Sequence, residues 1–178
     1  MLALASDPHI YAIVLYSILV LAGFVFPALF FITPAYGRYA REGWGPMLNA
    51  TFAWVVMEAP SPLLYFALWM SGDSAHRSSV PGLVFLAMWQ LHYLNRTFVF
   101  PFRRRGGAPK MPISIPLLSI AFNLLNAYLN AGYLYVFGPV RGPEWLTDPR
   151  FVVGAVVFCV GYFVIGYSCC ERLDGRKR

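Results

Sequence analysis

Charge is scarce in this 178-residue chain: 12% of its residues are charged, about half the share found in an average soluble domain. In its place, 58% of the residues are hydrophobic and 17% are aromatic, a composition typical of contact with lipid and its interface. Cysteine is also rare: Cys159 lies within an apolar run, and Cys169 and Cys170 are adjacent. Neither spacing matches a zinc site or a disulfide framework, so no metal site is predicted and Cys159 is expected in the core.

The apolar residues are concentrated in five runs, and a helix rising 1.5 Å per residue needs about 20 residues to cross a hydrocarbon core of ~30 Å. We predict helices at roughly 10–32, 49–70, 80–100, 113–137 and 151–167. No basic region precedes the first run, which is too long for the core of a cleavable signal. The predicted fold class is therefore all-α, a polytopic membrane helical bundle with about five transmembrane helices over residues 1–168, followed by a basic tail at 169–178.

The basic residues are concentrated in the loops between the apolar runs and in the tail. If all five segments span the membrane, the first loop, the third loop and the tail share one side, and together they hold ten of the fourteen lysines and arginines. The positive-inside rule places these loops and the C-terminus in the cytoplasm. The net charge of +6 therefore indicates membrane topology, and we predict membrane lipids rather than nucleic acid as partners.

The third segment carries polar residues at membrane depth, namely Gln90, His92, Tyr93, Asn95, Arg96 and Thr97. Polar groups there are energetically expensive, so they require partners or a function. At 100° per residue all of these except Asn95 form one arc of the helix, with Leu91, Leu94 and Phe98 on the opposite side. This arc is predicted to face protein or trapped water rather than lipid.

Polar residues in two other segments could meet this arc. The second segment carries Glu58, followed by Pro60 and Pro62, which should kink the helix. The fourth segment carries a stripe spaced i, i+3, i+7, formed by Asn123, Asn126 and Asn130. Together these residues imply a polar cavity within the bundle. Simpler roles stay open: the asparagines could bond a neighbouring helix, Glu58 could be a structural partner of Arg96, and the arginines at 103–105 could serve only as a topology signal.

Five stretches, in the same order, resemble the steroid 5α-reductase (3-oxo-5α-steroid 4-dehydrogenase) family, most closely its plant type. They are YGRYAREGWGP at 36–46, AWVVMEAPSP at 53–62, LHYLNRTFVFPFRRR at 91–105, MPISIPLLSIAFNLLNAYLNAGYL at 111–134 and, more weakly, FVVGAVVFCVGYFV at 151–164. The resemblance implies an NADPH-dependent oxidoreductase of CH–CH bonds that reduces the 4,5 double bond of 3-oxo-Δ4 steroids or related enone lipids. It also implies a location in the endoplasmic reticulum or a bacterial inner membrane.

The resemblance further implies roles for individual residues. Glu58 and Tyr93 would be catalytic and hold the substrate ketone, with Trp54 also binding substrate. Tyr93 would donate to the ketone oxygen as enolate charge develops, as the donors of an oxyanion hole do. The NADPH side would be lined by Arg96, Arg105 and Asn126, because the arginine fork matches phosphate oxygens.

The resemblance ends after the fifth segment, and the tail at 169–178 is expected to be unlike the family. The family continues there with an Asn-x-x-Ser-Asp element, whereas Ile165 and Cys169 stand at the aligned asparagine and aspartate positions. We therefore expect a fragment that carries the substrate-binding residues without a complete cofactor site, so that its reductase activity is impaired. A missing C-terminal segment or a partner would complete that site. The alternative is a non-catalytic membrane protein derived from the family that binds sterols or assembles with another protein.

Overall fold

The computed structural model describes residues 6–33, 43–103 and 110–174, with the side chains of the last helix described up to residue 164. Within this part of the chain, all five predicted segments are helical. Three stretches are long and apolar enough to cross a membrane, namely Pro8–Ala28, Ala50–Ser71 and Ser114–Phe137. The segment Pro149–Val164 is apolar but shorter. The prediction of an all-α bundle with membrane-length helices is confirmed, although the regular α-helix of the third segment is only 15 residues long and ends at Leu94.

The α-helices in chain order are α1 (Pro8–Ala28), α2 (Ala50–Glu58), α3 (Pro60–Ser71), α4 (Ser74–Ser78), α5 (Val80–Leu94), α6 (Phe100–Arg103), α7 (Ser114–Gly132) and α8 (Pro149–Asp174). Wider π-helical turns continue α5 and α7 over Asn95–Val99 and Tyr133–Phe137, and a 3₁₀ turn covers Pro143–Thr147. Two short strands, β1 (Met47–Asn49) and β2 (Lys110–Pro112), lie in the first and third loops.

The second segment is interrupted at Ala59, between α2 and α3, as its prolines predicted. Neither Pro60 nor Pro62 has an N–H group to continue the helical hydrogen bonds. The Pro62 carbonyl instead accepts a hydrogen bond of 3.0 Å from Nε2 of Gln90 on α5. The interruption leaves Glu58 as the last residue of α2, beside the polar arc of the third segment.

The third segment widens into a π-helical turn at Asn95–Val99, where the Phe100 N–H donates to the Asn95 carbonyl. Pro101 follows this turn, and a proline ring in a regular α-helix would clash with the carbonyl four residues earlier. Widening the preceding turn avoids that clash, and such turns are common at functional sites. The turn carries Arg96 and the fully buried Thr97.

The described parts of the first and third loops lie at one end of the bundle. There β1 pairs antiparallel with β2, with Met47 opposite Pro112 and Asn49 opposite Lys110. This pairing agrees with the predicted alternation of the loops. Their assignment to the cytoplasm stays a prediction.

The second and fourth loops meet at the opposite end. The His76 Nε2 atom lies 3.0 Å from the Gly138 carbonyl oxygen, which joins α4 to the turn after α7. The ring of Phe85 lies 5.4 Å from that of Trp145 and 5.8 Å from that of Phe151. These contacts hold the start of α5 against the segment that leads into α8.

The core between α3 and α7 is built on small residues. Ala127 and Ala131 are completely buried, which lets the two helices approach closely beside Tyr65. Tyr135 is also buried, and its hydroxyl donates to the Gly82 carbonyl at 2.9 Å. A Cβ atom on Gly82 would lie 2.8 Å from the His76 carbonyl oxygen, so the close approach of α5 to α4 requires glycine.

The outer surface is apolar, as expected in lipid. The arc predicted to face away from protein is exposed at Leu91, Leu94 and Phe98, whereas Tyr93 is buried. Helix α1 has no buried residue and is held at its start by Tyr11, whose hydroxyl donates to the Leu129 carbonyl at 2.9 Å. The prediction of a core position for Cys159 was wrong: it is exposed on α8, because the fifth segment meets the bundle along a different face.

The contact of His76 generates a prediction on the pH dependence of stability. Its side chain is 12% exposed, and Nδ1 lies 2.8 Å from the Asp73 carboxylate. The Gly138 carbonyl raises the pKa of His76 above its usual value, and Asp73 acts in the same direction. A raised pKa in the folded state stabilises the protein below the unfolded value of about 6.5, and this stabilisation is lost as the pH rises through the folded pKa. The thermal midpoint in detergent should therefore fall from pH 6 to pH 8 more steeply in the wild type than in His76→Gln.

The matched control is His9→Gln, which replaces an exposed histidine on α1. It should keep the wild-type pH dependence. Equal slopes in the wild type and His76→Gln would contradict the role given to this contact.

Candidate functional site

An ion pair between the second and third segments lies at the centre of the predicted site. Glu58 is 2% exposed, and its Oε1 atom accepts a hydrogen bond of 2.7 Å from Nε of Arg96. The Arg96 side chain is 40% exposed, so one partner is buried and the other reaches the edge of the bundle. A buried carboxylate requires such a partner, because isolated charges are strongly disfavoured away from water.

Arg96 is also held by an aromatic side chain. Its guanidinium carbon lies 5.4 Å from the centre of the Trp54 ring, at a distance where a cation is attracted to the ring face. Trp54 is buried and packs against Phe100, with ring centres 5.1 Å apart. The structure therefore places Arg96, predicted to bind cofactor, against Glu58, which is the structural pairing that the sequence left open. It places Trp54, predicted to bind substrate, beside Arg96.

Asn123 connects this ion pair to Tyr93. Its side-chain amide nitrogen donates to the Met57 carbonyl at 2.7 Å and to Glu58 Oε2 at 3.3 Å. Its amide oxygen accepts from the Tyr93 hydroxyl at 3.4 Å, a long hydrogen bond. Asn123 is buried, and its two donor contacts fix which end of the amide faces Tyr93. Glu58 and Tyr93 therefore converge on one asparagine without touching each other.

The Tyr93 ring is fixed by aromatic stacking. It lies 5.1 Å from the Trp89 ring at an angle of 29°, and Trp89 in turn stacks on Tyr65 at 4.4 Å and 16°. Such stacked rings are worth about 0.5–1.5 kcal/mol per pair beyond the area they bury. The stack restricts the phenol to small movements of its hydroxyl group.

A cavity of about 870 Å³ lies on the other side of Tyr93. It is lined by side chains of all five segments and of the fourth loop: Tyr11, Leu15, Tyr65, Phe85, Met88, Trp89, His92, Tyr93, Asn126, Leu129, Asn130, Tyr133, Leu134, Arg141, Trp145 and Phe158. Its volume lies within the range of small-molecule sites, and its walls are mainly apolar and aromatic with a few polar groups. Glu58, Trp54 and Asn123, all in the described part of the chain, lie outside this lining.

Two of the predicted cofactor residues, Arg96 and Asn126, lie in different pockets. Arg96 is paired with Glu58, whereas Asn126 lines the large cavity and accepts from Nδ2 of Asn130 at 3.0 Å. The space beside Arg96 is a small pocket of about 20 Å³. Arg105 lies outside the described residues. Within the described ranges, these side chains do not assemble a site that fits a dinucleotide.

Asn123 and Trp89 are the site residues that the sequence analysis did not assign. Asn123 belongs to the asparagine stripe, so the signal was present, but the resemblance selected Asn126 instead. Trp89 gave no signal because a tryptophan in an apolar segment is most simply an interface or core residue. Its position between Tyr65 and Tyr93 depends on packing alone.

Comparison with known protein families gives one family match. Residues 109–177 match the family described as 3-oxo-5-alpha-steroid 4-dehydrogenase. The match runs through the tail predicted above to be unlike the family.

Curated relatives cover more of the chain. The cotton (Gossypium hirsutum) protein named steroid 5-alpha-reductase DET2 is 31% identical over 90% of this chain and 63% of its own length. The bovine (Bos taurus) 3-oxo-5-alpha-steroid 4-dehydrogenase 1 is 41% identical over 72% of this chain and 50% of its own length. The Arabidopsis thaliana DET2 protein is 33% identical over 75% of this chain and 52% of its own length.

The chain thus spans between half and two thirds of the lengths of these three relatives. The match includes the segments that carry the ion pair, the asparagine stripe and Tyr93. By sequence, this chain is similar to the 3-oxo-5-alpha-steroid 4-dehydrogenases, also named steroid 5-alpha-reductases.

Proposed function

We propose that this chain binds a 3-oxo-Δ4 steroid, or a related enone lipid, for NADPH-dependent reduction of the 4,5 double bond. The observation that carries the proposal is the buried hydrogen-bond chain from Glu58 through Asn123 to Tyr93, whose phenol borders a cavity of small-molecule size. The relatives' names describe this class of reaction, and the cavity offers an apolar volume for the rings. The protein would act in the endoplasmic reticulum or a bacterial inner membrane, with its basic loops in the cytoplasm.

Tyr93 is the proposed ketone-binding residue. Its hydroxyl makes only a 3.4 Å hydrogen bond to Asn123, so turning toward an incoming ketone oxygen would give up a weak interaction. In the reaction, hydride adds at C5 and a proton at C4, and negative charge develops on the ketone oxygen in between. A donor fixed beside that oxygen stabilises the charge more than it stabilises the neutral ketone, which lowers the barrier.

Glu58 is proposed to act through Asn123 rather than by direct contact with the substrate. Its carboxylate accepts from the Asn123 amide and from Arg96, which leaves the Asn123 oxygen directed at Tyr93. We therefore assign Glu58, Asn123 and Arg96 to positioning. Trp54 supports the same arrangement from beneath Arg96.

The described residues account for the ketone end of the reaction. Because Arg96 is engaged by Glu58 and Asn126 lies elsewhere, we propose that the dinucleotide is held mainly by other groups. These would come from a further C-terminal segment or a partner chain, with Arg105 and Asn126 as contributors from this chain.

A second candidate function is non-catalytic binding of a sterol. One observation favours it: the Glu58 carboxylate, which the resemblance assigns to catalysis, is paired with Arg96 and lies outside the cavity lining. A cavity with Tyr93 at one wall would then bind a ketone without reducing it.

Binding and turnover measured on the same sample separate the two candidates. The 178-residue chain in nanodiscs would be titrated with a 3-oxo-Δ4 steroid, following quenching of tryptophan fluorescence, because Trp89 and Trp145 line the cavity. NADPH oxidation would then be measured with and without the steroid. Saturable binding with steroid-dependent oxidation supports the reductase, saturable binding alone supports the sterol-binding protein, and no binding contradicts both.

Tyr93→Phe tests the ketone donor. Losing one hydrogen bond of about 0.5–1.5 kcal/mol should weaken binding of the 3-oxo steroid by roughly 2- to 13-fold. Binding of a matched steroid that lacks the 3-oxo group should stay unchanged. Where turnover is measurable, it should fall by about 10²–10³, as for loss of an oxyanion-hole donor.

The control for this variant is Tyr11→Phe, which removes another hydroxyl from the cavity lining, one that donates to the Leu129 carbonyl. It should keep the preference for the 3-oxo steroid. Unchanged preference in Tyr93→Phe would remove Tyr93 from the proposed role.

A double-mutant cycle of Glu58→Gln and Arg96→Gln tests the positioning pair. Each single change leaves the other charged group without its partner at membrane depth, so each should lower the thermal midpoint and the affinity for the ketone. The double variant should be less destabilised than the sum of the two. Because Arg96 is partly exposed, the expected coupling is modest, about 1 kcal/mol.

Membrane insertion of all three variants should be unaffected and is checked by carbonate extraction. Additive effects of the two changes would show that the ion pair does not couple these residues. Full turnover in Glu58→Gln would exclude any contribution of the carboxylate to the reaction.

A further inference from the structure

Arg141 lies in the fourth loop, between two aromatic rings. Its guanidinium carbon lies 5.3 Å from the centre of the Tyr133 ring and 5.0 Å from that of Trp145. One of its terminal nitrogens donates to the Tyr133 hydroxyl at 3.3 Å. The distances to the two ring centres are within the range of cation–π attraction, so the rings hold the planar guanidinium group in place. The side chain is half-buried rather than extended into solvent.

Arg141 also lines the large cavity, together with both of these rings. Its own loop carries two acids: Asp148 pairs with Arg150 at 2.7 Å, and the Glu144 carboxylate folds back against Gly142. Within the described ranges, no carboxylate lies within ion-pair distance of Arg141. A partly desolvated guanidinium facing an apolar cavity without an anionic partner is complementary to an anion.

The position of Arg141 relative to Tyr93 follows from helix α5. The Trp145 ring, which flanks Arg141, lies 5.4 Å from the ring of Phe85 on that helix. Phe85 precedes Tyr93 by eight residues, or about 12 Å along the helix axis at 1.5 Å per residue. The phenol and the guanidinium that line the cavity are therefore about two turns of α5 apart, on the order of the length of a four-ring steroid skeleton.

We propose that the ligand of this cavity carries a carboxylate at the end opposite its ketone, and that Arg141 binds it. The preferred class would be 3-oxo-Δ4 steroids with an acidic side chain. This inference rests on the proposed function, since it takes the ketone end at Tyr93 as given. Recognition would use the planar fork of the guanidinium, which pairs with both oxygens of a carboxylate, and the two rings would reduce the entropy lost on binding.

The test compares an acid with its own neutral ester. A 3-oxo-Δ4 cholenoic acid and its methyl ester would be titrated against the 178-residue chain in a neutral detergent free of phospholipid, following tryptophan quenching. The wild type should bind the acid about tenfold more tightly than the ester, which corresponds to about 1.4 kcal/mol. Arg141→Gln should remove this preference and leave affinity for the ester within about twofold.

The matched control is Arg77→Gln, which removes one positive charge from the same end of the bundle at a residue that donates to the Met70 carbonyl and does not line the cavity. It should retain the preference for the acid. Loss of the preference in both variants would indicate a general electrostatic effect and overturn the assignment of Arg141.

Other outcomes overturn the inference in distinguishable ways. Equal affinity for acid and ester in the wild type refutes it while leaving the proposed function intact, because the ketone still binds. Failure of both compounds to bind refutes the proposed function together with the inference. If added anionic phospholipid competes with the acid in the wild type but not in Arg141→Gln, Arg141 is a headgroup contact and the ligand carboxylate is not its partner.

Discussion

The structure of the site depends on the pairing of two charges at membrane depth. Neither Glu58 nor Arg96 is stable there alone, and their 2.7 Å contact requires the end of α2 to lie against the turn that follows α5. Asn123 on α7 donates to Glu58 and to the Met57 carbonyl, which holds α7 against the same end of α2. Three membrane segments are thereby fixed relative to one another by polar contacts, which have no competing water in the hydrocarbon core.

Irregular backbone makes this pairing possible. The interruption at Ala59 ends α2 at Glu58, and the widened turn at Asn95–Val99 carries Arg96. Both features lie next to prolines, which cannot donate a backbone hydrogen bond. The bundle thus uses proline twice to end regular helix where a charged side chain is needed.

Tyr93 belongs to both halves of the site, since it closes the polar network on one side and borders the cavity on the other. The stack with Trp89 and Tyr65 keeps it rigid. Arg141 lines the same cavity and gives it a cationic group. Two fixed polar points in an apolar cavity specify the orientation of a ligand as well as its binding.

The sequence by itself determined the five helices, the break at Ala59, the lipid-facing arc at Leu91, Leu94 and Phe98, and the similarity to the steroid 5-alpha-reductases. The structural features follow from hydropathy, helical periodicity and proline chemistry, which act within a single segment. The similarity follows from matching the segments to those of other proteins. Only the tertiary structure decided that Arg96 binds Glu58, that Trp54 lies beneath Arg96 and that Asn123 rather than Asn126 reaches Glu58. The two asparagines share a stripe but differ in depth by about 4.5 Å, more than the length of a hydrogen bond, so the packing of the helices selects between them.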